Sequence, residues 1–240
     1  MVVAIIMFIV VSAVALMAWA VRGRSAPLLG SFAWRGPKTR RAIALTFDDG
    51  PSESTPRLLG LLERYGAKAT FFLCGHHVRR LPHVARQIVR EGHEIGNHTD
   101  THEPLYLRSP LFTLEQISRA QASILDVTSV APHLFRPPLG ARWFGMRDAL
   151  RKLGLKGVMW TEIAHDWSLD GARVAQRLEA RAVPGAIICL HDGRELRHNP
   201  DIGSTLEALE LLLPRWADAG YEFLTVSELL WPSTMNSHSA

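Results

Sequence analysis

The chain has 240 residues, 47% apolar and 21% charged, which allows one large core or two small ones; one domain behind an N-terminal segment is expected. The net charge of +4 suggests a nucleic-acid binder, but six of the 27 basic residues lie between Arg22 and Arg41, leaving 21 against 23 acids from Ala42 onward. The body is thus slightly acidic, and no nucleic-acid partner is expected.

Residues 1–21 carry no charged side chain. About 20 apolar residues rising roughly 1.5 Å each cross a hydrocarbon layer of ~30 Å, so the segment reads as a transmembrane helix. A cleaved signal peptide competes with this reading, because Ala18-Trp19-Ala20 has the small-x-small form. The anchor is preferred, since no Lys or Arg precedes the run and its length exceeds the usual apolar core of a signal peptide. A single-pass membrane protein is expected. The basic residues from Arg22 to Arg41 suit anionic headgroups, and by the positive-inside rule this flank taken alone points to a cytoplasmic body.

Residues 22–40 form a basic stretch in which Gly30, Ser31, Gly36 and Pro37 suggest a linker, so a chain beginning near Pro37 is expected to keep the whole domain. From residue 41 to 232, β-rich runs alternate with helical patterns. The runs are Ala42 to Phe47, Ala69 to Leu73, His93 to Gly96, His133 to Arg136, Gly157 to Ile163, Ala186 to Leu190 and Phe223 to Val226. Thr55 before Pro56 suggests an N-cap, and Thr113 with Gln116 a capping box. Gly66, Gly92, Gly154 and Gly220 each close a helical pattern before a strand-like run. Cys74 and Cys189 lie in apolar runs and read as buried thiols. Residues 233–240 are expected to be a frayed tail. About seven strand-helix units imply an α/β fold, a distorted (β/α) barrel of about seven parallel strands behind the N-terminal transmembrane helix.

Five short pieces stand where these strands run out: Asp48-Asp49-Gly50-Pro51, His98 to His102, Arg136 to Gly140, His165-Asp166-Trp167 and Leu190-His191-Asp192. In a barrel the C-terminal strand ends converge on one face, so the five pieces can share a site. Taken singly each has a plainer reading. Asp-Asp-Gly-Pro is a good turn; it is equally a pair of carboxylates, one able to hold a metal while the other stays free as a base. His98 and His102 can meet one ion on a tight loop, and a nearby carboxylate would complete a two-His, one-carboxylate set. Arg136 can orient a carboxylate by a charge-assisted bond. His191 is either a satisfied core histidine or an acid held protonated by Asp166, while Trp167 is either pocket wall or core.

With these motifs in this order, the region from about Arg41 to Trp231 resembles the NodB-type polysaccharide deacetylases, carbohydrate esterase family four. The resemblance implies hydrolysis of the acetamide of an N-acetylated glycan such as peptidoglycan or a chitin-like oligosaccharide. It implies a divalent metal, usually zinc, on Asp49, His98 and His102, with Asp48 as base and Arg136 holding it. It further implies an oxyanion contact from the Leu139 backbone N–H and protonation of the leaving amine by His191 with Asp166 behind it. Trp167 and Leu190 would line the acetyl pocket. The resemblance also implies a body outside the cytoplasm, against the basic flank, so the side of the membrane stays open. The chain departs from the family at Leu139, where Tyr is usual, and at Ile163 and His165, where an acid and Arg are common. A deacylase or deformylase of a lipid-linked sugar is a second enzyme reading, and a degenerate carbohydrate-binding module is the non-enzyme one. Binding alone would need neither Asp48 nor His191.

Overall fold

The computed structural model describes residues 1–232; the tail expected at 233–240 lies outside the described residues. Helix α1 (Val2–Arg22) carries no charge before its last residue, Arg22, has a mean hydropathy of 2.8, and buries only Ala20 against the rest of the chain. It is long and apolar enough to be a membrane span or a signal sequence.

After it come β1 (Ala42–Asp48), α2 (Thr55–Arg64), β2 (Ala69–Leu73), α3 (Gly75–Arg80), α4 (Pro82–Arg90), β3 (Glu94–Asn97), α5 (Pro110–Thr128) and β4 (Leu134–Phe135). A short 3-10 turn, Pro138–Gly140, precedes α6 (Met146–Leu153), β5 (Lys156–Gly157), β6 (Glu162–Ile163), α7 (Gly171–Glu179), β7 (Ile187–His191), α8 (Gly203–Asp218), β8 (Glu222–Phe223) and α9 (Val226–Leu230). Every strand pair is parallel, in the order β5-β4-β3-β2-β1-β7-β6, with β8 against the start of β1. This is the expected distorted barrel, left open because the end strands β5 and β6 do not pair. The interior strand β1 is buried along its whole length, as a sheet covered on both faces requires.

The run Gly157 to Ile163, read as one strand, is two. Gly157 pairs with Phe135 on β4, and the chain then crosses the opening to pair Glu162 with Ile188 on β7. The stretch read as a linker closes the seam. Ala33 donates its N–H to the Gly157 carbonyl at 2.9 Å and accepts from Met159 at 2.7 Å, while Gly36 donates to the Gly185 carbonyl at 2.8 Å. Phe32 is buried against Gly157, where a Cβ would lie 2.4 Å from the ring. Residues 32–36 thus belong to the body. The reason is geometric: an open barrel exposes backbone groups at its gap, and this segment satisfies them. A chain beginning at Pro37 is accordingly expected to melt about 10 °C below one beginning at Leu28, since losing a buried phenylalanine alone costs about 3–5 kcal/mol. Thermal unfolding of the two, with equal melting points as the contrary result, checks this.

Helix ends follow the sequence where glycine decides them: Gly66, Gly92, Gly154 and Gly220 all have positive φ. The two expected caps move. Ser109 caps α5, its Oγ accepting from the Phe112 N–H, because Pro110 starts the helix one turn before Thr113. Gln116, freed from capping, accepts from the Thr101 N–H at 3.0 Å and so braces the histidine loop. Ser54, not Thr55, precedes α2; the Thr55 hydroxyl instead donates to Asp192 at 2.6 Å.

Candidate active site

β1 and β7 run side by side in register, with Thr46 opposite Cys189 and Asp48 opposite His191. Strand side chains alternate, so Thr46 and Asp48 share one face of β1, and Cys189 and His191 the matching face of β7. From that face Asp48, Cys189 and His191 line a cavity of about 860 Å³ at the C-terminal strand ends, together with Asp49, His98, His102, Leu139, Trp160 and Trp167.

One donor cluster lies at its floor. Asp49 Oδ1 is 3.3 Å from His98 Nε2 and 3.1 Å from His102 Nε2. Each contributes one ligand atom to a set lying within 4.8 Å of one another. The other nitrogen of His98, Nδ1, donates to the Arg136 carbonyl at 2.7 Å, which leaves Nε2 facing the cluster. Asp49 Oδ2 accepts from the Glu195 N–H at 2.9 Å. Asp49, Thr99 and His102 all have positive φ, backbone strain spent on aiming these side chains inward. Burial would raise the Asp49 carboxyl, but His102 and His98 beside it hold it well below the usual carboxylate range. Burial likewise depresses His102, and the Asp49 carboxylate overcomes this to leave it raised. Two imidazoles and a carboxylate, buried, with His98 Nδ1 and Asp49 Oδ2 already engaged outside the cluster, fit a divalent cation.

Asp48 stands next to this cluster. Its Oδ1 accepts from Arg136 Nη1 at 2.7 Å, and Arg136 also donates to Thr46 Oγ1 at 2.7 Å and to the Met159 carbonyl at 3.1 Å. Arg136 is fully buried and lies 4.1 Å from the centroid of the Phe72 ring, so it is locked in place. Beside Asp48 on β7, His191 Nδ1 bonds Asp166 Oδ1 at 2.8 Å, and Asp166 Oδ2 accepts from the His191 N–H and from Thr205 Oγ1. Burial would lower the imidazole, but the Asp166 charge and hydrogen bond push it up to about 9. Asp166 itself, despite burial, is held down by His191.

Leu139 has φ 58 in the 3-10 turn and borders the cavity, as does Trp167, whose ring meets His191 edge-on at 5.1 Å. Leu190 does not join them. It is fully buried in the core between sheet and helices, in the same cluster as Phe47, and Cys189 takes the cavity face in its place. The two-residue strand period counted back from His191 was the signal that could have shown this. Sequence reasoning also missed the backbone N–H of Glu195 and the hydroxyl of Thr205, whose contacts join segments 146 and 39 residues apart. Asp100, between the two histidines, is buried and paired with Arg79 at 2.6 Å and Arg119 at 3.3 Å, which pins their loop. Asp192 turns away from the cavity toward Gly50, where a Cβ would sit 2.3 Å from its Oδ2. Burial raises its carboxyl to about 7.

A family model described as polysaccharide deacetylase matches residues 35–158. The chain belongs to the polysaccharide deacetylase family. It is 36% identical over 211 residues to a peptidoglycan-N-acetylglucosamine deacetylase of Bacillus cereus, covering 84% of this chain and 93% of that one. A chitooligosaccharide deacetylase of Bradyrhizobium is 35% identical over 198 residues, covering 79% and 90%. Among solved structures, a peptidoglycan N-acetylglucosamine deacetylase in complex with 4-naphthalen-1-yl-N-oxidanyl-benzamide superposes with a TM-score of 0.79 at 28% identity, covering 85% of this chain and 95% of that one. A family-four pseudoenzyme from Bacillus anthracis superposes with a TM-score of 0.74 at 28% identity, covering 82% and 67%. The same fold therefore carries both active and inactive members, and the site must decide between them. This deacetylase-family chain has a carboxylate and an imidazole free beside its donor cluster, each oriented by a charged partner, which a binding module would not need. It is a hydrolase of the family.

Proposed function

We propose that the protein removes the N-acetyl group from an N-acetylated glycan such as peptidoglycan or a chitin-like oligosaccharide, with a divalent cation, zinc by preference, on Asp49, His98 and His102. The observation that carries this is the placement of Asp48 and His191 at one register of adjacent strands, both lining one cavity next to the donor cluster. The deacetylase names of the relatives from Bacillus cereus and Bradyrhizobium support the reaction class.

A cation bound there supplies Lewis acidity, polarising the acetyl carbonyl and acidifying water. Asp48, with Oδ1 held by Arg136, presents Oδ2 to take the proton of the attacking water. Leu139 borders the cavity, and its backbone N–H is the donor proposed for the oxygen on which charge develops. His191, protonated at neutral pH through Asp166, donates from Nε2 to the departing sugar nitrogen. Trp167 covers the acetyl methyl group. Incubating the metal-loaded enzyme with chitooligosaccharides, peptidoglycan and acetyl-xylan should release acetate from the first two. Release from acetyl-xylan alone, or from none of them, would overturn the reading.

The His191 role has its own pH signature. Its folded-state value lies above the ordinary 6.5, so the acid form is present at neutral pH and is lost as pH rises through about 9. Asp166→Asn removes the charge that raises it. The alkaline limb of kcat/KM should then move toward the ordinary histidine range, lowering activity at pH 8 by roughly thirtyfold on protonation grounds alone. An unmoved limb would remove His191 as the acid.

A second reading, a deacylase of a lipid-linked sugar, has one observation in its favour. Arg22, the last residue of the apolar helix, borders the catalytic cavity, and Arg142 holds the turn after that helix by donating to the Gly23 and Ala26 carbonyls. If α1 spans a bilayer, the cavity sits close to the headgroup layer.

A further inference from the structure

A second set of donor atoms lies in the cavity beside the first. Asp48, Cys189 and His191 offer a carboxylate oxygen, a thiol sulfur and an imidazole nitrogen, all within 4.8 Å of one another. The strand register explains why: Asp48 and His191 are paired across β1 and β7, and Cys189 precedes His191 by one strand period on the same face. Asp48 and His191 each have one ligand atom held by a charged partner and a second one left over. Arg136 occupies Asp48 Oδ1, and Oδ2 has the Cys189 sulfur at 3.4 Å. Asp166 occupies His191 Nδ1, leaving Nε2 facing the cavity and giving the histidine the carboxylate backing usual for a metal ligand. Cys189 is fully buried yet forms part of the cavity wall.

We propose that Asp48, Cys189 and His191 form a second, inhibitory site for a thiophilic divalent cation such as cadmium or excess zinc, separate from the Asp49, His98 and His102 cluster. Sulfur, nitrogen and oxygen donors from three side chains make a tetrahedral set once a water fills the fourth position. As the sulfur–metal bond forms, the thiol proton leaves to solvent, and His191 binds as neutral imidazole after releasing its own proton. The first cluster has no sulfur, so a softer ion favours the second. That occupancy inhibits follows from the reading of Asp48 and His191 as base and acid, on which the functional half of the proposal rests: ligated Oδ2 cannot accept a proton, and ligated Nε2 cannot donate one.

The test starts from the full-length enzyme holding one catalytic ion and adds cadmium. Equilibrium dialysis with elemental analysis should find a second ion per chain, ultraviolet absorption should show a thiolate-to-metal charge-transfer band, and acetate release should fall. Cys189→Val, which keeps an apolar side chain in the strand, and Cys189→Ser, which keeps its size, should both bind one ion and lose the band. In both, the cadmium concentration for half inhibition should rise at least about tenfold, since even loss of an outer partner of a metal ligand costs that much. Cys74, the other buried thiol, does not border the cavity, and Cys74→Ser should keep the band. One ion per saturated wild-type chain, inhibition through exchange of the first ion alone, or an unchanged band and inhibition in both Cys189 variants would each overturn the site. Absence of acetate release from every preparation would fail the deacetylase reading instead, while ion count and band still decide whether the second site exists.

Discussion

Asp48→Asn should leave the bound ion in place and lower acetate release by about 10²- to 10⁴-fold, the range that general base catalysis supplies. The amide keeps the size of the carboxylate and can still accept from Arg136, whose Nη1 lies 2.7 Å from Oδ1, so the fold and the donor cluster should survive. What it loses is the ability to take a proton at Oδ2. The ion itself should be retained, because Asp49 and the two histidines make their contacts without the Asp48 side chain, whose Oδ2 lies 4.0 Å from His98 Nε2. Elemental analysis alongside steady-state rates checks both halves. Turnover close to wild type would make Asp48 a turn residue, as its Asp-Gly-Pro setting first suggested.

His98→Ala and His102→Ala should each lose the ion and, with it, nearly all activity. The expected fall in metal affinity exceeds about a hundredfold, the upper range already seen when only an outer partner of a ligand is removed. The two differ in what else breaks. His98 also donates to the Arg136 carbonyl at 2.7 Å, so its loss loosens the arginine that orients the base. His102 has no such second role: its backbone N–H bonds Thr99 Oγ1 whatever the side chain. Excess zinc should therefore rescue His102→Ala further than His98→Ala. Wild-type ion content in both variants, measured after dialysis, would remove the assignment of Asp49, His98 and His102.

Much of this site was legible before the fold, because its residues cluster in short motifs at strand ends and a parallel barrel brings such ends to one face. Strand positions were readable where apolar runs are continuous, as in Ala69 to Leu73, which coincides with β2. Helix ends were readable where glycine must adopt positive φ, as at Gly66 and Gly154. Both signals are local, arising from the chain's own backbone and side-chain sterics.

Other features depend on which distant segment lies alongside. Gly157 to Ile163 has one continuous strand-like composition, yet it breaks because β4 and β7 claim its two ends from opposite sides of an opening. Residues 32–36 lie in a stretch with a linker's glycine and proline, Gly30 to Pro37, and still form part of the body, since backbone groups at the seam need partners. Gln116 has the letters of a cap and instead holds the histidine loop, because Ser109 and Pro110 start the helix earlier.

The amino-acid sequence by itself determined the parallel α/β architecture, the apolar N-terminal helix and the identities of Asp48, Asp49, His98, His102, Arg136, Asp166 and His191 as chemically able residues, since side-chain chemistry and local periodicity are properties of the chain alone. Only the tertiary structure decided that Cys189 rather than Leu190 faces the cavity, that Glu195 and Thr205 complete the site, and that the supposed linker closes the barrel. Those facts are set by strand register and by packing between segments far apart in the chain, where a shift of one residue exchanges the two faces of a strand.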